Sequence, residues 1–261
     1  MEQTNITNSD SGGPQQPANE GMVSQMSEIS TIGNVFFEPG RVFDDIRRKP
    51  RFILAGLIIV IAISTFQLVF VEKFGLENIV RARIETSKRT QELSAEKKQE
   101  LVAQQSSNVA KYITYIATPL VIVIIFLLGG LVYWLLGNAM GGTGTFLGGV
   151  AVWVYSGLPP AILFLLGNLL VLFVKSADDI DLAGSQGGLL KANLGVFIDP
   201  KSMPAIAALA GWMDLFTIWG WVLAAIGLQR VAKISSGGAW AAVLIVALVG
   251  IAGSLIKALF L

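Results

Sequence analysis

The chain has 261 residues, 53% of them hydrophobic and 14% charged, and its mean hydropathy is +0.65. This composition lies outside the range of soluble domains and marks an integral membrane protein. A formal net charge of +1 gives no electrostatic footprint for nucleic acid, and the lack of cysteine and histidine removes disulfides, Cys/His zinc sites, cysteine nucleophiles and Ser-His-Asp triads. The expectation is a non-enzymatic protein with no catalytic residues, no metal and no cofactor.

Residues 1–30 are polar, acidic and rich in Gly, Ser, Gln and Pro, without a basic segment followed by an apolar one. They predict a disordered tail and not a secretory signal. In "FFEPGRVFDDIRRKPRF" the spacing predicts a short helix lying at the membrane interface. Pro39 suits a first helical position, Val42, Phe43 and Ile46 share a face, Arg47 to Lys49 sit at the C-terminal end, and Pro50 stops the helix.

A hydrocarbon core about 30 Å thick needs roughly 20 apolar residues per helix. Five segments qualify, at about 52–71, 112–136, 146–174, 204–228 and 239–260. The predicted fold is all-α, a polytopic membrane helical bundle of five transmembrane helices. Arg47, Arg48, Lys49 and Arg51 before the first span, with Arg230 and Lys233 before the fifth, predict a cytoplasmic N-terminus. Loop 72–111 opposes this, because its eight basic and six acidic residues would then face outward. That loop is rich in helix formers, and Ser94 reads as an N-cap dividing it into two helices that extend spans one and two as a hairpin. Its charges read as a solvated face, with a docking surface as the minority alternative.

"GNAMGGTGTFLGG", residues 137–149, carries six glycines but lacks the Lys-Ser/Thr ending of a phosphate loop, so it reads as a turn between spans two and three. Gly144, Gly148 and Gly149 permit close helix contact. In the third span Pro159 and Pro160 each remove a backbone donor, which predicts a kink; one bent helix and two shorter pieces both fit. Loop 175–203 holds Asp178, Asp179 and Asp181 at a spacing that matches no EF-hand and reads as solvated. Ser202 reads as the cap of the fourth span, with Pro204 in its first turn.

Asp214, in "WMDLFTIWGW", has Lys201 and Arg230 as its nearest charged neighbours in sequence. A helix starting near Pro204 places it roughly 15 Å in, near the bilayer midplane. A charge there costs about 3 kcal/mol or more, so the carboxyl is expected to be neutral or rich in donors. Lys257 would have to snorkel inward, the expensive direction. The same depth arithmetic selects Ser64, Thr65, Tyr155 and Ser156, with Thr217 one turn along, as an intramembrane polar cluster around Asp214. A structural hydrogen-bonded staple between helices, worth about 0.6–2 kcal/mol, explains the cluster with fewer assumptions than a proton or ion path. Acid-base chemistry by Asp214 and Tyr155 would require a polar cavity reaching both.

The stretch "SMPAIAALAGWMDLFTIWGWVLAAIGLQRVAKIS" resembles the fourth span of bacterial members of the Yip family, the Ypt/Rab-interacting membrane proteins. Their Asp-hydrophobic-Phe-x-x-Trp segment and Ile-Gly-Leu exit match Asp214, Phe216, Trp219, Ile226, Gly227 and Leu228. "FFEPGRVFDDIRRKPRF", "GGTGTFLGGVAVWVYSGLPPAIL" and "SQGGLLKANLGVFIDP" are similar to the family's approach to the first span, its glycine-rich turn with proline-bearing third span, and its last loop. The resemblance covers residues 31–261 and implies a five-span bundle with a cytoplasmic N-terminus. It also implies membrane-traffic partners such as Rab GTPases, but the Asp-Leu-Tyr-Gly-Pro motif of eukaryotic members is absent, and loop 72–111 is longer than the family norm.

The leading expectation is a membrane-organising or partner-binding scaffold, supported by small residues at packing spacing such as Gly220, Ala224 and Gly227. The alternative is a small transporter or lipid-handling protein that uses Asp214 and the kinked third span. The expected partners are the lipid bilayer and a second copy or another membrane protein, with no nucleic acid. The expected location is the bacterial inner (cell) membrane.

Overall fold

The long uncharged runs become long helices. The computed structural model describes residues 26–176, 179–182, 185, 188–199 and 202–260. In chain order the helices are α1 (Glu28–Asn34), α2 (Pro39–Arg48), α3 (Ile53–Phe74), α4 (Leu76–Thr86), α5 (Ala95–Gln105), α6 (Asn108–Ala139), α7 (Phe146–Val174), α8 (Pro204–Trp212), α9 (Leu215–Val231) and α10 (Ser236–Phe260). Among the described residues, α3, α6, α7 and α10 are long and apolar enough to cross a membrane. The fifth crossing is shared by α8 and α9, of 9 and 17 residues. The molecule is an all-α bundle and a multi-pass membrane protein.

Helix α7 occupies the centre and packs on α3, α6 and α9, with Val150, Val152, Val154 and Leu158 fully buried. Glycine sets its distance from α6: a Cβ built on Gly149 would stand 2.4 Å from the Gly130 carbonyl oxygen, and one on Gly130 would stand 2.5 Å from the Val150 Cα. In lipid, where apolar side chains gain little by leaving the solvent, backbone contact of this kind supplies dispersion attraction that larger residues would forbid. Pro159 and Pro160 lie inside α7 without ending it, so the third span is one helix.

At one end of the bundle, α4 and α5 form the predicted hairpin beyond α3 and α6. Ser94 caps α5, its hydroxyl accepting from the Lys97 amide at 3.3 Å. Val80, Ile84 and Val102 give the hairpin a small core of its own. Lys88 Nζ donates to the Ala258 carbonyl at 3.0 Å, tying the hairpin to α10. Lys73 donates to the Leu172 and Lys175 carbonyls at the C-terminal end of α7, the negative end of its dipole.

The opposite end differs from the sequence expectation. Residues 1–25 of the predicted tail lie outside the described residues, but α1 already begins at Glu28, capped by Ser27, whose hydroxyl accepts from the Ser30 amide at 3.1 Å. Helix α2 forms as predicted, yet its apolar face turns into the bundle rather than toward lipid. Val42, Phe43 and Ile46 are fully buried against α9 and α7. The Phe43 ring fills the space beside Gly227, where a Cβ would come within 2.9 Å.

A second correction concerns residues 188–198, expected to be a solvated loop. Asn168 of α7, fully buried, accepts the amides of both Leu189 and Leu190 at its Oδ1. Gly188 has φ of +119°, and a Cβ there would meet the Phe164 ring at 2.5 Å. Phe164 stands about 15 Å from the end of α7 by helical rise, so the chain re-enters the bundle. It then makes a 3-10 turn at Leu194–Phe197, capped by Asn193, which packs on α8. Ser202 does not cap α8: its hydroxyl donates to the Asp199 carbonyl at 3.2 Å, and Met203 occupies the cap position.

Candidate functional site

Asp214 stands between two helices, not within one. Its backbone is extended, with φ of −96° and ψ of 133°, and its side chain caps α9. Oδ1 accepts from the Phe216 amide at 2.9 Å, the Thr217 amide at 3.1 Å and, at the limit of hydrogen bonding, the Thr217 hydroxyl at 3.5 Å. Aspartate favours this position because its carboxylate satisfies amides that a helix start leaves unpaired and faces the positive end of the dipole. The break is closed from outside as well. Asn193 and Asp214 form an antiparallel bridge, and the Leu215 amide donates to the Ala192 carbonyl at 3.2 Å. The non-helical backbone between α8 and α9 is thus paired with protein, as a break inside an apolar span requires.

Of the other residues expected around Asp214, Thr217 alone touches it through a hydrogen bond. The Ser156 hydroxyl donates to the Trp153 carbonyl at 3.0 Å within α7. Tyr155 is buried in the main core. Thr65 is exposed, and Ser64 Oγ is buried without a hydrogen-bond partner.

Asp214, Thr217 and Ser156 nevertheless share one feature. They line a cleft of about 1580 Å³ between α7, α8, α9, α10 and segment 188–198. Its walls are mostly small or apolar, with Gly157, Pro160 and Ala161 from α7, Gly211 and Trp212 from α8, and Gly220 and Trp221 from α9. Gly220 faces the carbonyl of Ser156, which a Cβ would approach to 3.5 Å. Pro160, one turn on, has no amide to donate to that oxygen. Trp212 is held by a bond from its Nε1 to Ser254 Oγ at 3.0 Å and stacks on Trp221 at 6.3 Å. The cleft therefore presents a largely apolar wall interrupted by polar residues that include Asp214, Thr217 and Ser156.

The acids of the last loop are described only in part. Asp178 lies outside the described residues, and Asp179 accepts from the Ser176 hydroxyl at 2.5 Å. Asp181 lines the cleft. No cluster able to hold a metal ion occurs among the described residues.

The Yip1 domain family model matches residues 33–256. The chain belongs to the Yip1 domain family. Comparison with curated proteins and with solved structures gives no match. The matched region of the Yip1 domain begins inside α1, so α2 and its buried face belong to the domain.

At the start of that matched region, and reaching back to residues before it, sits a polar cluster that charge counting conceals. Arg51 makes a buried ion pair with Asp45 and donates to the Met26 carbonyl at 2.7 Å and the Thr31 hydroxyl at 3.0 Å. The Asp45 side chain is 3% exposed and that of Arg51 10%. Read as a free cation near the first span, Arg51 is instead the clasp that joins α1 and α2 to the start of α3. The available signal was Asp45, three residues after Val42 and so on the apolar face of α2.

Proposed function

We propose that this Yip1 domain protein is a non-enzymatic organiser of the bilayer, and that its working element is the lateral cleft, which seats the acyl chain of a membrane lipid. The observation that carries the reading is the cleft itself. It exceeds the usual 300–1,000 Å³ of small-molecule pockets, stands at membrane depth and is walled mainly by glycine, alanine, proline and aromatic side chains. A conducting path would need a series of polar stations. Here one carboxylate lies at mid-depth, and its Oδ1 is engaged in capping α9. The partner-binding scaffold is the second reading, favoured by a single feature: the α4–α5 hairpin has its own core and so presents a prefolded surface.

The proposed setting is the bacterial inner membrane with the N-terminus cytoplasmic. Arg47, Lys49 and Lys233 are exposed at the α1–α2 end, and basic residues flanking spans concentrate on the cytoplasmic side.

Gly157 and Gly211 provide the test, because both line the cleft and a Cβ at either meets nothing within 4 Å. Full-length protein reconstituted with a phospholipid carrying a photoactivatable acyl chain should crosslink to α7 and α9 at the cleft. Gly157→Trp and Gly211→Leu should reduce that labelling while leaving the fold intact. Labelling spread evenly along exposed residues of α6 such as Ile116 and Leu120, and unchanged in both variants, would remove the reading.

A further inference from the structure

We propose that the seated lipid has a zwitterionic headgroup with a primary ammonium, as in phosphatidylethanolamine, its phosphate held by Lys191 and its ammonium by Oδ2 of Asp214. This rests on the lipid-seating reading and adds the headgroup class.

Backbone pairing brings the two residues together. Asn193 bridges Asp214, and the Leu215 amide donates to the Ala192 carbonyl. Lys191 comes next along that segment, so it lies at the level of Asp214. It is the diagonal neighbour of Asp214 across the antiparallel pair, a relation that sets Cβ atoms roughly 7–8 Å apart. The segment is also held from α7, where the fully buried Asn168 accepts the amides of Leu189 and Leu190. Lys191 and Asp214 both line the cleft, with Ser156 and Thr217 on the same wall.

Each charge keeps an unused face. Among the described residues, no ion pair or hydrogen bond engages the Lys191 ammonium. Asp214 accepts through Oδ1 alone. The buried side-chain atoms left without a partner among the described residues are Arg51 Nε and Ser64 Oγ, so the unbonded Oδ2 of Asp214 is accessible from the cleft. The other charges on the wall are engaged elsewhere: Lys88 donates to the Ala258 carbonyl at 3.0 Å, and Asp181 has an interaction of its own.

The headgroup class follows from this arrangement. A cation and an anion at one level sum to no net charge, so a headgroup with net charge of either sign meets one repelling residue. A headgroup that carries both charges a few bonds apart satisfies both. Oδ2 accepts N–H hydrogen bonds, which a primary ammonium donates and a choline cannot.

The experiment is lipid retention by the full-length protein released from nanodiscs of equal phosphatidylethanolamine, phosphatidylcholine and phosphatidylglycerol content, read by native mass spectrometry. Wild type should retain phosphatidylethanolamine about tenfold over either competitor, the worth of one charge-assisted hydrogen bond. Asp214→Asn keeps the Oδ1 cap but turns Oδ2 into a donor, and should bring phosphatidylethanolamine down to the level of phosphatidylcholine. Lys191→Gln should lower both of these lipids together, because both carry the phosphate, and leave their ratio unchanged. Lys97→Gln, exposed on α5 outside the cleft, should change neither quantity. Equal retention of phosphatidylethanolamine and phosphatidylcholine by wild type, a preference that survives Asp214→Asn, or undiminished retention in Lys191→Gln overturns the headgroup assignment, while cleft crosslinking still supports lipid seating. Absence of that crosslinking in wild type overturns both.

Discussion

Replacing Asp214 by asparagine and by alanine separates a capping carboxyl from an ionising one. Oδ1 receives two amides at 2.9 and 3.1 Å. Removing an N-cap acceptor costs about 0.5–2 kcal/mol, and the upper end applies here because the wall of an apolar cleft offers the freed amides little water. Asparagine keeps the acceptor and loses only the interaction of the charge with the α9 dipole, about 0.3–1 kcal/mol. The expected order is therefore wild type, then Asp214→Asn at roughly 0.5 kcal/mol, then Asp214→Ala at roughly 2 kcal/mol. Thr217→Val, which loses only the 3.5 Å contact, should cost less than about 0.5 kcal/mol. Equilibrium unfolding of the full-length protein by steric trapping in bicelles measures all three. Asp214→Asn falling as far as Asp214→Ala would refute the capping account, since the carboxylate charge itself would then be the essential property.

Other substitutions probe the same architecture. Arg51→Ala removes the cation paired with the buried Asp45 carboxylate and should destabilise by about 3–5 kcal/mol in the same assay, whereas Asp45→Leu with Arg51→Met should recover most of that loss. Gly149→Ala forces a Cβ to 2.4 Å from the Gly130 oxygen; α6 and α7 should separate at a cost of at least about 1–3 kcal/mol, while Gly157→Ala, with open space around it, should be near neutral. Asn168→Leu strands the Leu189 and Leu190 amides at about 1–3 kcal/mol, and limited proteolysis should then cut within residues 188–198 well before any other site in the bundle.

What the sequence made legible was whatever depends on length and period. Apolar runs of about 20 residues admit few alternatives, so the crossings could be counted. Ser94 and the Val42, Phe43 and Ile46 face follow from local rules that the structure obeys. The partners of Asp214 were less accessible for a physical reason. Depth along a helix can be computed from 1.5 Å per residue, but depth says nothing about the azimuth of a side chain. Ser64, Tyr155 and Ser156 were matched to Asp214 by depth, yet they face different neighbours. The break was hidden for a related reason: aspartate is both costly inside a membrane helix and favoured at a helix start, and only the 188–198 segment, far away in sequence, decides between the two. Arg51 shows the opposite failure, where a local charge rule was satisfied by a residue whose charge is spent on Asp45.

The broken span and the re-entrant segment require one another. Without Ala192 to accept the Leu215 amide, the break would expose backbone to lipid at several kcal/mol per group; without the break, Asn193 would have no strand to bridge. Helix α8, nine residues long and joined through Met213 and Asp214, is thus bound to segment 188–198 more than to α9, and the two should move as a unit that opens or closes the cleft. Asn193 controls that unit, because its side chain caps the 3-10 turn through the Gly195 amide at 3.0 Å. Asn193→Ala removes about 1 kcal/mol of capping, which should raise the open population about fivefold. The chain has no cysteine, so a single cysteine at Gly211, facing the open cleft, reports opening through its rate of maleimide labelling in nanodiscs. The rate should rise about fivefold with Asn193→Ala and stay constant with Asn193→Asp, which keeps the acceptor. An unchanged rate in the alanine variant would mean that α8 is anchored by its contacts with α10 alone, and that the cleft wall does not move with segment 188–198.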